Sequence, residues 1–319
     1  MIRIISEVTG IETHFPELIG LLPARGCEYR EVSADVLQTD ADLVRALGEY
    51  DVIVTCDQHT WTRDILSTTT RTKLLIRVGK GVDNVDVEAA KEFGITVANT
   101  GSANASAVAE HTMALLLAAV HHLPEADKQL HVGDWDHISQ MRELKSATIG
   151  LAGFGAIAQG VARMLSGFVP KAILAYDPYP NTEMAKQLNV QLVDFDALLA
   201  QSDIICVHVP LMDSTWHMFN KEAFDAMRQG AIFISIARGH VVDENALYDA
   251  LVSRKLKWAG LDVFETEPLP ADDRLLTLDN VFGTPHSAAH SVDAMLESQR
   301  QAAEQLLEFA DGKAPRHAL

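Results

Sequence analysis

Cysteine is scarce: Cys27, Cys56 and Cys206 are the three in 319 residues. They lie far apart with no C-x-x-C pair, so neither a disulfide framework nor a thiolate metal site is expected. Each reads as a small buried side chain in a reducing compartment, which points to the cytoplasm. Long apolar runs are also lacking. The most apolar helical stretch, MALLLAAV over 113–120, is well short of the roughly 18 residues that span a bilayer. The opening MIRIISEVTG has no apolar core with a small-residue cleavage site, so it reads as a first strand rather than a signal peptide. Basic charge is in deficit: 26 Lys plus Arg against 44 Asp plus Glu give a formal net charge of −18. Such a surface repels phosphate backbones and anionic lipid, so neither nucleic acid nor membrane is an expected partner. Internal repeats and low-complexity linkers are missing, and a regulatory third domain is not expected.

What is present is apolar material: 48% hydrophobic against 22% charged residues, enough for a substantial core. At about 100–200 residues per domain, the length suggests two domains. Short β-branched or aliphatic runs alternate with helical patterns, the signature of βαβ units and a parallel sheet. Strands are expected at Ile2–Ser6, Asp51–Thr55, Leu74–Val78 and Thr96–Val97, with helices over Asp40–Leu47 and Val87–Phe93 between them. A second series comprises Ala147–Leu151, Ile173–Tyr176, Ile204–His208, Ala231–Ile236, Trp258–Leu261 and Val281–Gly283. Between the two α/β halves, Ser106–His122 is a long Ala- and Leu-rich helix, apolar on most faces and therefore expected to be buried. Ser291–Phe309 is an amphipathic helix of the kind that packs back onto the first half.

The segment TIGLAGFGAIA over 148–158 runs an apolar strand into Gly153-x-Gly155-x-x-Ala158, followed by a helix over Gln159–Ser166. Glycine at 153 permits a tight turn, glycine at 155 lets backbone approach a pyrophosphate, and a small residue at 158 lets helix and strand pack closely. Phosphates would then meet the free N–H groups and dipole of a helix N-terminus. Asp177, 22 residues after Gly155 and ending the next strand, is spaced to reach the adenine ribose hydroxyls and would repel a 2′-phosphate, favouring NAD over NADP. The alternative is a glycine-rich turn that binds nothing.

Three later strands are followed by chemistry-bearing residues: ISIARGHVVD (234–243) with Glu244, GLDVFETEP (260–268) and GTPHSAAH (283–290). Carboxyl ends of strands are where ligands bind in open α/β sheets. An Arg, a Glu and a His following successive strands suit hydride transfer to a 2-oxo acid. Guanidinium clamps a carboxylate bidentately. Imidazole hands a proton to the developing alkoxide, while a neighbouring carboxylate orients the ring. Taken singly, Arg238 could be a strand-end arginine paired with Asp243, Glu267 a surface acid and His286 a capped loop histidine. His290, four residues after His286, has metal-pair spacing but no third ligand, so no metal is expected.

At these residues the chain resembles the D-isomer-specific 2-hydroxyacid dehydrogenases, nearest in pattern to the D-3-phosphoglycerate dehydrogenase branch. GVDNVDVEAA (81–90), NASAVAE (104–110), DIICVHVPL (203–211), ARGHVVDENAL (237–247), LDVFETEP (261–268) and TPHSAAH (284–290) carry the resemblance together with the fingerprint. It implies two Rossmann-like or flavodoxin-like parallel-sheet domains, with a nucleotide domain (102–289) inserted into a substrate domain (1–101 and 290–319). It implies NAD as cofactor, and a D-2-hydroxy acid and its 2-oxo acid as substrates. Arg238, Glu267 and His286 would be catalytic, Arg238 binding substrate and His286 acting as acid/base with Glu267 as its partner. Gly153, Gly155, Ala156, Ile157, Asp177, His208, Pro210, Thr215, Ala237, Asp262 and His286 would line the cofactor, Asp262 holding the carboxamide, although a structural imidazole is the plainer reading of His208. Gly79 and Gly81 would offer amides to the substrate carboxylate. A homodimer with His131–Asp136 in its arm is implied as well.

Departures bear on affinity. Asn99-Thr100-Gly101-Ser102 replaces the usual Asn-Thr-Pro-Gly, Ala156-Ile157-Ala158 the usual Arg-Ile-Gly, and Ser235 the usual Asn. Arg77 matches an arginine of the phosphoglycerate branch, and Lys80 adds a second cation, so the expected substrate carries a second anionic group, as 3-phosphohydroxypyruvate does. Against that, Thr55 stands where that branch has an arginine, and Arg77 and Lys80 could be solvated surface cations. His59 and Trp61 would help to shape this pocket. Hydroxypyruvate or glyoxylate reduction is the alternative within the class, and a dinucleotide-sensing binding protein on the same fold the alternative outside it.

Overall fold

The computed structural model describes residues 1–33, 36–136 and 141–319. By its internal contacts the chain divides into two units, Met1–Asn104 with Ser291–Leu319, and Ala105–His290, so the second interrupts the first in sequence.

The first unit is built on a five-stranded parallel sheet. Its strands are β1 (Ile2–Ser6), β2 (Cys27–Glu31), β3 (Val52–Thr55), β4 (Leu74–Arg77) and β5 (Thr96–Asn99), in the order β2-β1-β3-β4-β5. This is the flavodoxin-type order, with its switch point between β1 and β3. β3 is buried along its whole length, as continuous Val/Ile strands covered on both faces should be. β2 was not expected, because CEYRE alternates buried and open positions at a sheet edge and has no apolar run. The terminal helix Val292–Ala310 is started by Ser291, whose hydroxyl accepts the Ala294 N–H at 3.0 Å. It sets Ala302, Ala303 and Leu306, all fully buried, against Ile4, Val52, Leu74 and Ile76. Burying a leucine in this way contributes roughly 1.5–3 kcal/mol.

The second unit holds a seven-stranded parallel sheet. β6 (Thr148–Ala152), β7 (Ala172–Tyr176), β8 (Gln191–Leu192), β9 (Ile204–Val207), β10 (Ala231–Ser235), β11 (Leu256–Leu261) and β12 (Val281–Gly283) lie in the order β12-β11-β10-β9-β6-β7-β8. This is the doubly wound order of dinucleotide-binding sheets extended by one strand, with its reversal between β6 and β9. The expected helix over Ser106–His122 runs Ala105–Val120, with Val108, Ala109, Met113, Leu115, Leu116 and Val120 buried. The helix after the fingerprint starts at Ala156 rather than Gln159, because Ala and Ile at 156–158 are good enough helix formers to extend it back to the glycine turn. Among the described residues no helix is long and apolar enough to cross a membrane, and all three cysteines are free thiols.

Candidate functional site

In the second unit the glycine turn is shaped as its spacing predicts. Gly153 has φ +92°, and a β-carbon there would lie 2.9 Å from the His208 carbonyl carbon, so both conformation and space require glycine. The Gly153 N–H donates to the Tyr176 carbonyl (2.7 Å) and the His208 N–H to the Ala152 carbonyl (2.7 Å), tying the turn to both neighbouring strands. Gly155 is exposed, takes an ordinary extended conformation, and has no atom within 4 Å of where a β-carbon would point. Helix Ala156–Leu165 begins there without a side-chain cap, so no capping side chain takes up its first N–H groups. Ala156 is exposed, Ile157 half-buried and Ala158 fully buried. The Asp177 carboxylate accepts the Phe154 N–H through Oδ2 and the Tyr179 N–H through Oδ1, both at 2.8 Å, and so stands at the turn's edge. An uncapped helix start, an open glycine and an anchored acid fit a dinucleotide: amides for the pyrophosphate, a carboxylate for ribose hydroxyls.

His208 follows β9. Both ring nitrogens are buried without a hydrogen-bond partner, and burial pushes the imidazole pKa down to about 3. Thr215 closes the adjacent loop: its hydroxyl donates to the Pro210 carbonyl (2.6 Å) and accepts the Met212 N–H (2.8 Å).

At the other side of the same sheet, pairing aligns three strand ends, Ser235 with Leu261 and Leu261 with Gly283. The loops that follow therefore start side by side. Buried Ala237 precedes Arg238, whose Nη1 donates to the Ala237 carbonyl at 2.8 Å. Asp243 caps the helix Glu244–Val252 through its Oδ1. Glu267 and His286 meet directly: Nδ1 to Oε2 is 2.6 Å, with side chains 44% (His) and 35% (Glu) exposed. The other Glu267 oxygen accepts the Phe264 N–H at 2.9 Å. His286 has φ +49°, a strained conformation for a residue with a β-carbon. Its N–H donates to the Asp262 carbonyl at 2.8 Å.

Asp262, expected to hold a carboxamide, also braces the loop that carries His286. It is fully buried, and its carboxylate accepts the Thr284 hydroxyl (2.5 Å) and the amides of Ser287 (2.8 Å) and Ala288 (3.0 Å). These bonds tie it to the loop that carries His286. His111, from the long helix, completes the support through Nε2 to the Thr284 hydroxyl at 2.8 Å. Neither His111 nor Thr284 was a sequence-level candidate; only Thr284's place two residues before His286 hinted at it.

In the first unit, Arg77 ends β4. Its Nη1 donates to the Val78 carbonyl (2.8 Å), its Nη2 lies 3.8 Å from Asp57, and its side chain is 12% exposed, so it is no solvated surface cation. The Gly79 amide, expected to face a carboxylate, donates instead to the Thr100 hydroxyl at 2.8 Å. Lys80 is exposed, its carbonyl accepts Asn99 Nδ2 (2.9 Å), and Gly81 is half-buried. Trp61, expected to shape a pocket, is a core residue: it is fully buried and its Nε1 donates to the Thr55 hydroxyl. Thr55 donates in turn to buried Glu7, which pairs with His59 at 2.8 Å. Glu7, Thr55, His59 and Trp61 are thus engaged with one another.

An open parallel sheet with a glycine fingerprint at its switch point, and Arg, Glu and His behind three aligned strand ends, defines the class of dinucleotide-binding α/β folds. Residues 113–288 match the model of the D-isomer specific 2-hydroxyacid dehydrogenase NAD binding domain. The chain is 39% identical over 290 residues to D-3-phosphoglycerate dehydrogenase of Archaeoglobus fulgidus, covering 91% of this chain and 55% of that protein. It is 43% identical over 272 residues to hydroxypyruvate reductase of Thermotoga maritima, covering 84% of this chain and 87% of that one. D-lactate dehydrogenase from Aquifex aeolicus, solved with NAD and lactic acid, superposes with a TM-score of 0.83 at 28% identity over 97% of this chain and 96% of that one. The chain belongs to the D-isomer specific 2-hydroxyacid dehydrogenase family, and its nucleotide domain is an NAD-binding domain. It spans about half the length of the phosphoglycerate dehydrogenases it matches.

Proposed function

We propose that this chain is an NAD-dependent oxidoreductase that interconverts a small D-2-hydroxy acid and its 2-oxo acid in the cytoplasm. The observation that carries the reading is the His286–Glu267 pair, 2.6 Å from Nδ1 to Oε2, on the loops after the aligned ends of β12 and β11. Bound nicotinamide supplies or takes up the hydride. His286, oriented through Nδ1, keeps Nε2 for the proton that reaches the C2 oxygen in reduction and leaves it in oxidation. Arg238 takes the substrate carboxylate and polarises the carbonyl. The amides at the start of helix Ala156–Leu165 and the Asp177 carboxylate hold the cofactor, with Ala156, Ile157, Pro210, Thr215 and Ala237 around it. In the first unit, Arg77 and the Gly81 amide are the groups this reading gives to substrate recognition. We divide the domains near 101 and 290 and take the working form as a homodimer, whose arm includes His131–Asp136 with Val132 and Trp135 80% and 73% exposed.

Within that class, Arg77 supports a substrate with a second anionic group, such as 3-phosphohydroxypyruvate. Asp57, 3.8 Å from Arg77, favours the second reading, a small singly charged acid such as hydroxypyruvate or glyoxylate. NADH oxidation against all three, for the wild type and for Arg77→Ala, tests both. Selective loss of phosphohydroxypyruvate turnover in the variant upholds the first, and equal turnover of it by both proteins removes the second-anion argument. No turnover of any 2-oxo acid sinks the enzyme reading.

A further inference from the structure

Besides the residues assigned above, the second unit brings together three side chains that the sequence keeps far apart. His217 follows β9, His240 lies two residues after Arg238, and Glu265 sits between Asp262 and Glu267. Each offers one ligand atom, and the three atoms lie within 4.8 Å of one another. His217 Nε2 is 2.9 Å from Glu265 Oε1. Yet that nitrogen and His240 Nδ1 are both buried and make no hydrogen bond, an unusual condition for buried polar atoms. Among the described residues no other group of this kind occurs.

The arrangement is held by its surroundings rather than by the three groups alone. The His217 N–H donates to the His240 carbonyl (2.8 Å), and the Phe219 N–H to the Val241 carbonyl (3.1 Å), so the two histidine segments run together. The Trp216 ring stacks on both imidazoles, with centroids 5.1 Å from His217 and 4.4 Å from His240. Gly239 lets the segment approach the third ligand's loop: a β-carbon there would fall 2.0 Å from the Phe264 carbonyl. Glu265 is tied down by its own N–H, which donates to Glu244 Oε1 at 2.8 Å. His217 takes φ +46°, a strained conformation that aims its ring into the cluster.

We infer that His217, His240 and Glu265 form a binding site for one divalent transition-metal ion of the zinc type. Two imidazole nitrogens and one carboxylate oxygen are the borderline donors such ions prefer, and three protein ligands leave a position for water. Magnesium and calcium, which require a shell of oxygens, are not accommodated. The ion would cross-link the loop after β9, the turn that carries Arg238 and the loop that carries Glu267. The inference does not depend on the reaction proposed above, since its readouts are metal binding and stability.

The test uses the full-length protein after chelator treatment and dialysis. Titration calorimetry with Zn²⁺ and with Co²⁺ is expected to give one ion per chain, while Mg²⁺ gives none. Ni²⁺ should quench the fluorescence of Trp216, which is 53% exposed and stacked on both ligands. His240→Ala and Glu265→Gln are each expected to weaken Zn²⁺ binding by at least about tenfold, the scale on which even supporting residues act. Zn²⁺ should raise the melting temperature of the wild type by more than that of either variant at the same free concentration. Matching circular-dichroism spectra of the metal-free proteins show that the variants fold; if His240→Ala does not, Glu265→Gln carries the comparison. Failure of the wild type to bind Zn²⁺ or Co²⁺, or undiminished binding by the folded variants, overturns the inference and leaves an ion pair between His217 and Glu265.

Discussion

Replacing Glu267 by glutamine tests the acid/base pair with little change of volume. The glutamate offers two acceptor oxygens to two donors, Oε2 to His286 Nδ1 at 2.6 Å and Oε1 to the Phe264 N–H at 2.9 Å. Glutamine offers one oxygen and one NH₂. With its oxygen on Phe264, the NH₂ faces Nδ1 and selects the ring tautomer protonated at Nε2, which cannot accept a proton there. With its oxygen on Nδ1, the NH₂ confronts the Phe264 N–H, donor against donor. One charged hydrogen bond is therefore lost in either pose, worth about 1.5–3 kcal/mol. The two side chains are 44% and 35% exposed, so water replaces part of it and the lower end applies. About 1.5 kcal/mol corresponds to roughly tenfold. Steady-state NADH oxidation with the best 2-oxo acid should show kcat down about tenfold for Glu267→Gln, with the NADH dissociation constant unchanged. A variant within twofold of wild-type kcat would refute the orienting role.

His286→Ala should lower kcat by about 10²–10⁴ with NADH affinity retained; near wild-type turnover would exclude His286 as the proton carrier. Gly153→Ala and Gly155→Ala should separate fold from cofactor. The first, at φ +92° and against the His208 backbone, should cost about 1–3 kcal/mol in urea denaturation. The second, with open space around it, should change stability by less than about 1 kcal/mol yet weaken NADH in a fluorescence titration; equal effects on stability would contradict the geometry. Asp177→Asn should weaken NADH and raise the NADPH-to-NADH affinity ratio, since it removes the charge that repels a 2′-phosphate, and an unchanged ratio would count against that role. Burial holds His208 neutral in the fold, its pKa lowered from 6.5 to about 3. The unfolded chain takes up this proton below pH 6.5 and the folded one does not. The contribution is therefore complete above pH 6.5 and falls as pH drops towards 3, by at most about 1.4 kcal/mol per pH unit. His208→Gln should flatten the acid limb of stability against pH, and an identical limb would show that the ring is not kept neutral.

How much of this was legible depended on whether a feature is local in sequence. β3 and β4 announce themselves as apolar runs, and the fingerprint as a glycine pattern between strand and helix, because each is decided within a dozen residues. β2 was not legible, since an edge strand needs only half its residues buried, and CEYRE alternates accordingly. The strand-end positions of Arg238 and His286 followed from counting strands, but the commitments of their neighbours did not. Whether Asp262 faces a ligand or the loop below it, and whether the Gly79 amide is offered outward or taken by Thr100, depend on hydrogen-bond partners 21 to 26 residues away.

The same distinction explains why the histidine cluster escaped a spacing search. Metal motifs are recognisable when two ligands share a turn or a helix face, as at i and i+4, and His286 with His290 met that pattern without a third partner. His217, His240 and Glu265 share no element. They meet because β9, β10 and β11 are neighbours in the sheet and because Gly239 lets one loop sit against the next. Their proximity is a property of strand order, which a linear motif does not encode. Two of the three proposed ligands also flank residues of the proposed reaction in sequence, His240 two residues beyond Arg238 and Glu265 two before Glu267. An ion that holds His240 to Glu265 must also restrain the chain on which Arg238 and Glu267 are carried.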